Sequence, residues 1–299
     1  MIELDGVPEL VDPVMVAAFE GWNDAGDAAT EAIEHLEDVW DADEVGELDP
    51  EEFYDFQVNR PQISILDDGT RDIVWPSTRV SLAKLPSGRD MVLVRGVEPS
   101  MRWRSYCNEL LVLAADLGVE MVVTLGALLA DTPHTRPIPV TGTVTDPALA
   151  TALDLETSTY EGPTGIVGVL QAACGQVGLP AVSIWAAVPH YVAQPPCPKA
   201  SLALLRKVED LLDITIPLGD LPEDARAWER GVDELAAEDE EIAEYVQTLE
   251  QARDTADLPE ASGEAIAQEF ERYLRKRGGD GPAAGSSGTG GSEPWRPRD

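Results

Sequence analysis

Met121-Val122-Val123-Thr124-Leu125-Gly126-Ala127-Leu128-Leu129-Ala130-Asp131-Thr132-Pro133-His134-Thr135-Arg136-Pro137 is an apolar segment that runs straight into the densest polar cluster of the chain. Met121 to Leu125 are apolar or β-branched without interruption, the pattern of a strand covered on both faces. Gly126 is read as the point where the backbone turns without a Cβ in the way. Asp131, His134 and Arg136 follow within a few positions, on a loop stiffened by Pro133 and Pro137. Two readings of that loop stay open: its polar residues satisfy the backbone and one another, or they carry chemistry.

Outward from this strand the hydrophobic period alternates between two and 3.6. Val14 to Phe19 is a strand that stops at Glu20-Gly21-Trp22-Asn23-Asp24, and a helix with Asn23 or Asp24 as its N-cap follows on Ala25, Ala28, Ala29, Ala32, Ile33, Leu36 and Val39. Met91 to Val94 is a strand; Tyr106, Leu110, Leu113, Ala114 and Leu117 form one helical face. Pro163-Thr164-Gly165 opens a helix closed by Gly178, Ala181 to Val188 is a strand, and Leu204, Leu205, Val208, Leu211 and Leu212 mark another helix. Strand and helix in turn predict an α/β fold, three-layer α/β/α with a mainly parallel sheet. The expected core is 1–219, with a β-rich insertion near 53–85 in which Ile63 to Leu66 and Ile73 to Trp75 flank Asp67-Asp68-Gly69-Thr70 as a hairpin. A helical extension is expected over 220–277 and a disordered tail over 278–299. Within the extension Trp228, Val232, Leu235, Ile242, Val246 and Leu249 form a narrow apolar seam, in which Asp239 is the polar position. The spacing leaves open whether the seam packs within one chain or between two.

The charge balance excludes several partners. Fifty-six acidic against 21 basic residues give a net charge of −35, with lysine only at 84, 199, 207 and 276. Nucleic acid and anionic membrane repel such a surface, and no apolar run has membrane length. Cys107, Cys174 and Cys197 have neither metal nor redox spacing, which fits a reduced, cytoplasmic protein, and no metal or cofactor is expected.

Ligands of open parallel sheets collect beyond the carboxyl ends of the strands. The loops there bring the candidate pocket: Glu20, Trp22, Asn23 and Asp24 after the first strand; Gly126, Asp131, His134, Thr135 and Arg136 around the loop already quoted; Thr164 and Gly165 at a helix start suited to an anion; His190 and Tyr191 after the last strand. His134 and His190 are candidates for acid and base across the sheet end. Neither a phosphate-binding Gly-x-x-x-x-Gly-Lys loop nor a Gly-x-Ser-x-Gly elbow occurs, and no catalytic residue is assigned.

The stretches 19–26 (Phe-Glu-Gly-Trp-Asn-Asp-Ala-Gly), 126–137, 160–166 (Tyr-Glu-Gly-Pro-Thr-Gly-Ile) and 185–192 (Trp-Ala-Ala-Val-Pro-His-Tyr-Val) together resemble the proteasome assembly chaperone family in its actinobacterial branch. The resemblance covers about residues 10 to 215, with a family-like extension to about 277. It implies a nucleoside-phosphorylase-like α/β/α fold, assembly into homo-oligomers with a trimer among them, and proteasome subunits as partners. The chain departs from it at Trp295-Arg296-Pro297-Arg298-Asp299, where ring-docking relatives end in a hydrophobic-Tyr-any motif. Two functions therefore stand side by side: a non-enzymatic assembly chaperone, and a small-molecule enzyme, ligase-like or nucleoside-processing, with Asp131, His134, Arg136 and His190 around a strand-end pocket.

Overall fold

The computed structural model describes residues 7–256 apart from Asp67 and Ala193. Residues 257–277 of the expected helical extension, with the amphipathic pattern of Ile266, Phe270 and Tyr273, and the expected 278–299 tail lie outside the described residues. Residues up to Glu250 belong to one compact unit, and a second begins at Gln251.

The chain opens with β1 (Val14–Glu20), whose alternate residues enter two different cores. Val14, Val16 and Ala18 join one, and Met15, Ala17 and Phe19 the other, so this strand is covered on both faces as an unbroken apolar run requires. A short 3₁₀ turn leads to α1 (Ala28–Val39). The acidic stretch that follows forms an edge strand, β2 (Asp43–Leu48), and a single helical turn, α2 (Pro50–Phe53). Charged residues suit an edge because they deter pairing with another sheet. Next come β3 (Gln62–Ile65) and β4 (Arg71–Val74), which pair only with each other, then β5 (Thr78–Lys84) and β6 (Asp90–Val97), which enter the main sheet.

Helix α3 (Trp103–Asp116) precedes β7 (Met121–Ala130), the strand quoted first. Then follow β8 (Val140–Val144), α4 (Pro147–Leu153), β9 (Glu156–Thr157), α5 (Ile166–Val177) and β10 (Ala181–Pro189). Three helices close the described chain: α6 (Pro198–Leu212), α7 (Leu221–Glu238) and α8 (Glu240–Ala256).

The main sheet has eight strands in the order β2-β5-β6-β1-β7-β10-β8-β9. Its centre, β6-β1-β7-β10, is parallel, while β2, β5 and β8 run antiparallel to their inner neighbours, so the sheet is mixed with a parallel heart. Helices α1 and α6 bury apolar residues on one face of it, and α3 and α5 on the other. This is the three-layer α/β/α arrangement.

Two local readings change with the structure. Gly126 does not turn the chain: β7 continues through it to Ala130. A Cβ at Gly126 would lie 2.7 Å from the Trp185 ring, so the glycine admits the indole, whose Nε1 donates to Ser183 Oγ at 2.9 Å. The seam is likewise not one helix. Asp239 leaves helical geometry and its carboxylate accepts from the backbone N–H of Glu241 (3.0 Å) and Ile242 (3.3 Å), capping α8. Within the chain, α7 packs on α6, and Val232, Ala236 and Val246 are buried, whereas Leu235 stands 61% exposed.

Candidate functional site

The strand-end residues fall into two groups that the structure builds in different ways. The first is a buried knot. Asn23, 1% exposed, lies just past β1; its backbone carbonyl accepts from Ala127 N–H at 2.7 Å, tying the loop to β7. Its side-chain Nδ2 donates to Glu98 Oε1 at 2.6 Å. The same Glu98 oxygen accepts from the Ile166 N–H at 2.8 Å. The helix start at Thr164 and Gly165, expected to suit an anion, thus holds one of the chain's own: the Glu98 carboxylate sits at the positive end of α5. Gly165 is required for this contact. A Cβ there would lie 2.7 Å from Asn23 Cγ and closer still to both amide atoms.

Beside the knot, Asp24 does the capping expected of this loop, although it stands outside α1. Its carboxylate accepts from Ala29 N–H (2.6 Å), Thr30 N–H (3.1 Å) and Thr30 Oγ1 (2.5 Å). Burial raises its pKa to about 6 in spite of those hydrogen bonds. One turn further on, Glu31 is pushed up to about 7, by burial first and then by Asp27, Asp24 and Glu34, against a hydrogen bond from Ser201 at 3.3 Å.

The second group is a latch beneath the C-terminal helices. His134 is 1% exposed. Tyr191 Oη accepts from the His134 backbone N–H and stands 2.7 Å from Nδ1, while Nε2 stands 3.0 Å from Asp233 Oδ1 on α7. A tyrosine hydroxyl that donates to Nδ1 leaves the ring proton on Nε2, directed at the Asp233 carboxylate; this tautomer satisfies every partner. Lys199 at the start of α6 donates to the His134 carbonyl and to Glu229 on α7. Thr135 and Arg136 both reach Glu250 on α8, Arg136 Nη1 at 3.2 Å. Asp131 accepts from Tyr245 Oη at 3.1 Å and lies 3.3 Å from His190 Nδ1. Tyr245 also meets the rings of His190 and Tyr191 edge to face, with centroids 5.4 and 6.1 Å apart.

The structure therefore places Asn23 and Gly165 in the knot, with Asp24 adjoining, and Asp131, His134, Thr135, Arg136, His190 and Tyr191 in the latch. Among the described residues Glu20, Trp22 and Gly126 form no side-chain polar contact with either, and Thr164 adds only a long hydrogen bond from its Oγ1 to the Gly165 carbonyl at 3.5 Å. Glu20 lines a separate cavity of about 430 Å³ beside Trp75, Arg79 and Arg95, and Trp22 is 67% exposed. The sequence marks Arg95 to Glu98 as a further strand-end loop but supplies no candidate residue from it, and Lys199, Glu229, Asp233, Tyr245 and Glu250 are not among the expected site residues. A carboxylate at the end of β6, level with Glu20 at the end of β1, was a usable signal for Glu98. Nothing local points to the others, whose partners lie 30 to 115 positions away.

Among the described residues, no group of three His, Cys, Asp or Glu is placed to hold a metal ion, and no helix is long and apolar enough to cross a membrane. All three cysteines are buried, which pushes their thiols up to about 11 for Cys174 and Cys197 and about 12 for Cys107 and so disfavours the thiolate.

Each of the four stretches on which the resemblance rests contributes to knot or latch: Asn23 from the first, Ala127 and His134 from the second, Gly165 and Ile166 from the third and Tyr191 from the fourth. Comparison with known proteins agrees. Residues 18–236 match the PAC2 family. The crystal structure of a PAC2 family protein from Streptomyces avermitilis is 65% identical, with a TM-score of 0.75 over 79% of this chain and 100% of that one. That of Rv2125, a proteasome-assembly chaperone homologue from Mycobacterium tuberculosis, is 58% identical, with a TM-score of 0.72 over 78% and 99%. At 20% identity and a TM-score of 0.62, PbaB from Pyrococcus furiosus, an archaeal proteasome activator, shares the fold over 79% of this chain and 98% of its own. No curated protein matches the chain. With a family match over most of its length and two relatives above half identity, the chain belongs to the PAC2 family.

Proposed function

We propose that the chain is a non-enzymatic, cytoplasmic, homo-oligomeric assembly chaperone acting on proteasome subunits. The observation that supports this reading most directly is the state of His134, the residue best suited to acid-base work. It is closed off from solvent and both ring nitrogens are engaged, one by Tyr191 and one by Asp233. A histidine so held joins the α/β core to its helical extension. A general base instead needs a path to the proton it removes.

The extension offers a surface of marked character. Residues 221–250 hold eleven acidic side chains against two arginines, which suits a partner with a basic face and steers it by charge. The relationship to Rv2125 supplies the class of partner. The purified chain should bind proteasome α or β subunits in native mass spectrometry and change the rate of their assembly. Failure of both overturns the reading.

A second reading, a ligase-like or nucleoside-processing enzyme, has one observation in its favour, the cavity of about 430 Å³ at the ends of β1 and β6. A stoichiometric metabolite and no protein partner in complexes drawn from the native cytosol would support it. So would loss of turnover in Glu20→Gln and Arg79→Ala variants that keep their fold, since both residues line that cavity.

A further inference from the structure

The cavity of about 430 Å³ at the ends of β1 and β6 has walls of three different chemistries, and the proposed assembly function uses none of them. The first wall is basic. Arg79 on β5 and Arg95 on β6 stand directly opposite one another in the sheet register, and Arg60 joins them from the segment that leads into β3. Like charges so placed cost stability unless they are compensated. The chain's own carboxylates compensate them in part. Arg95 donates to Glu37 from Nε at 2.8 Å and pairs with it through Nη2 at 2.7 Å, while its Nη1 lies 3.8 Å from Glu34, beyond hydrogen-bond reach. Among the described residues Arg79 reaches Glu44 only at 4.0 Å, and Arg60 has no ion-pair partner. Three arginines against one lining carboxylate, Glu20, make a local excess of positive charge in a chain where 56 acidic residues outnumber 21 basic ones. Guanidinium forks with donors to spare suit a phosphate.

The second wall is aromatic. Trp75, shortly before β5, is 43% exposed, and Phe56 supports its indole at 4.8 Å between ring centroids while packing on the core itself. An indole held in this way and lining a cavity is a platform for a planar ring, and it accepts any nucleobase because every base has a π-face. The third wall accepts hydrogen bonds. Glu20 lies two residues past Ala18, the register partner of Arg95, and so sits on the same face of the sheet as that arginine. With the Gln62 amide it offers acceptors to hydroxyl groups. The volume falls within the range of small-molecule sites.

We propose that this cavity binds a nucleoside monophosphate, with the phosphate held by Arg60, Arg79 and Nη1 of Arg95, the ribose hydroxyls by Glu20 and the base laid on Trp75. A bare anion leaves Trp75 and Glu20 unused, and a neutral ring leaves the arginines unused. Occupancy has a structural consequence. Arg60 and Trp75 bracket the β3–β4 hairpin, which pairs with no strand of the main sheet, whereas Glu20, Arg79 and Arg95 belong to that sheet. A bound nucleotide therefore fastens the root of the hairpin to the core. Binding here requires neither a proteasome subunit nor turnover, so it stands or falls separately from both functions proposed above.

The test is isothermal titration calorimetry of the full chain with AMP, UMP, adenosine and inorganic phosphate, with thermal melting to confirm that each variant folds. AMP and UMP should bind one to one, and adenosine and inorganic phosphate should each bind at least about 10-fold more weakly. Arg79→Ala and Trp75→Ala should each weaken AMP by about 10-fold or more. Arg60→Ala should weaken it too, and because Arg60 is exposed and unpaired its loss leaves the fold alone. Amide exchange in β3 and β4 should slow when AMP is bound to the wild-type chain. No binding of AMP or UMP at millimolar concentration overturns the site. Inorganic phosphate that binds as tightly as AMP overturns the nucleotide assignment, and adenosine that binds as tightly overturns the role of the arginines. AMP binding that is unchanged in Arg60→Ala, Arg79→Ala and Trp75→Ala places the nucleotide elsewhere on the chain and overturns the assignment to this cavity.

Discussion

The knot around Asn23 and the latch around His134 use the same material, polar side chains at the carboxyl ends of parallel strands, yet differ in what holds them. Asn23 and Gly165 are buried, and Glu98 joins them from the neighbouring strand end of the same core. The latch's central histidine is as deeply buried, but the carboxylates that complete it, Asp233 and Asp131, keep 54% and 79% of their side-chain surface exposed. Exposed charge pairs contribute little, whereas a buried polar group deprived of its partner costs its full desolvation. The knot is thus part of the α/β core, and the latch fastens an appended element to it.

That contrast can be broken at the knot first. The Gly165 backbone, at φ −93°, suits any residue, so Gly165→Ala tests spacing alone. Its methyl group would drive the Asn23 amide away from Glu98 and strand two buried donors, Asn23 Nδ2 and Ile166 N–H. Denaturant unfolding should show a loss of more than about 3 kcal/mol. A loss under about 1 kcal/mol would mean that the loop relaxes and no knot exists.

Acid titration sharpens the same region from its edge. The folded pKa of Asp24 is raised from 3.8 to about 6, so the native state binds its proton more tightly than the unfolded chain does. The stability this supplies is complete below about pH 4 and lost as pH rises through about 6; Glu31 extends the window to about 7. For Asp24 the shift corresponds to about 3 kcal/mol at most. The melting temperature should therefore fall between pH 5 and pH 8, and Glu31→Gln should flatten the upper part of that fall. A melting temperature that climbs over this range contradicts the assignment.

At the latch the expected effect is smaller and local. His134→Ala removes the links to Asp233 and to Tyr191 Oη through Nδ1, while the backbone bond to Tyr191 stays. Global stability should drop by about 1 to 2 kcal/mol. Amide exchange in α7 and in α8 up to Glu250 should accelerate well beyond that in β1 or β7, the behaviour of a separate unit of low local stability. Uniform acceleration across the chain would make latch and knot one cooperative system.

How much of this the sequence carried depends on the range of each interaction. β1, β7 and β10 are legible because strands covered on both faces need unbroken apolar runs, and α1, α3, α5 and α6 because each shows one apolar face at helical spacing. β2 is hidden by its acidity, since an edge strand that faces water need not alternate. β8 is five residues long and carries no strong pattern. The positions of Asn23, Asp24, His134 and Tyr191 follow from the rule that loops at strand ends converge. Their partners do not, because Glu98 and Asp233 reach them only through the order of strands in the sheet and the return of α7 over α6. Gly126 shows the same limit from the other side. A glycine at the end of an apolar run reads as a turn, and only the register of β10 places Trp185 directly against it.

Leu235 is the last and mildest test, and it asks whether the latch helices also join copies. Its period places it in the apolar seam with Val232 and Val246, yet the break at Asp239 divides the seam. Val232 and Ala236 then face inward on α7 while Leu235 stays in solvent. A single exposed leucine is ordinary on a protein surface. Leu235→Asp should therefore change stability by no more than about 0.5 kcal/mol. It should also leave the native mass unchanged. A shift toward monomer would place a contact between copies on α7. The acidic helices would then bind another copy of the chain, and they would no longer be free to receive a basic partner.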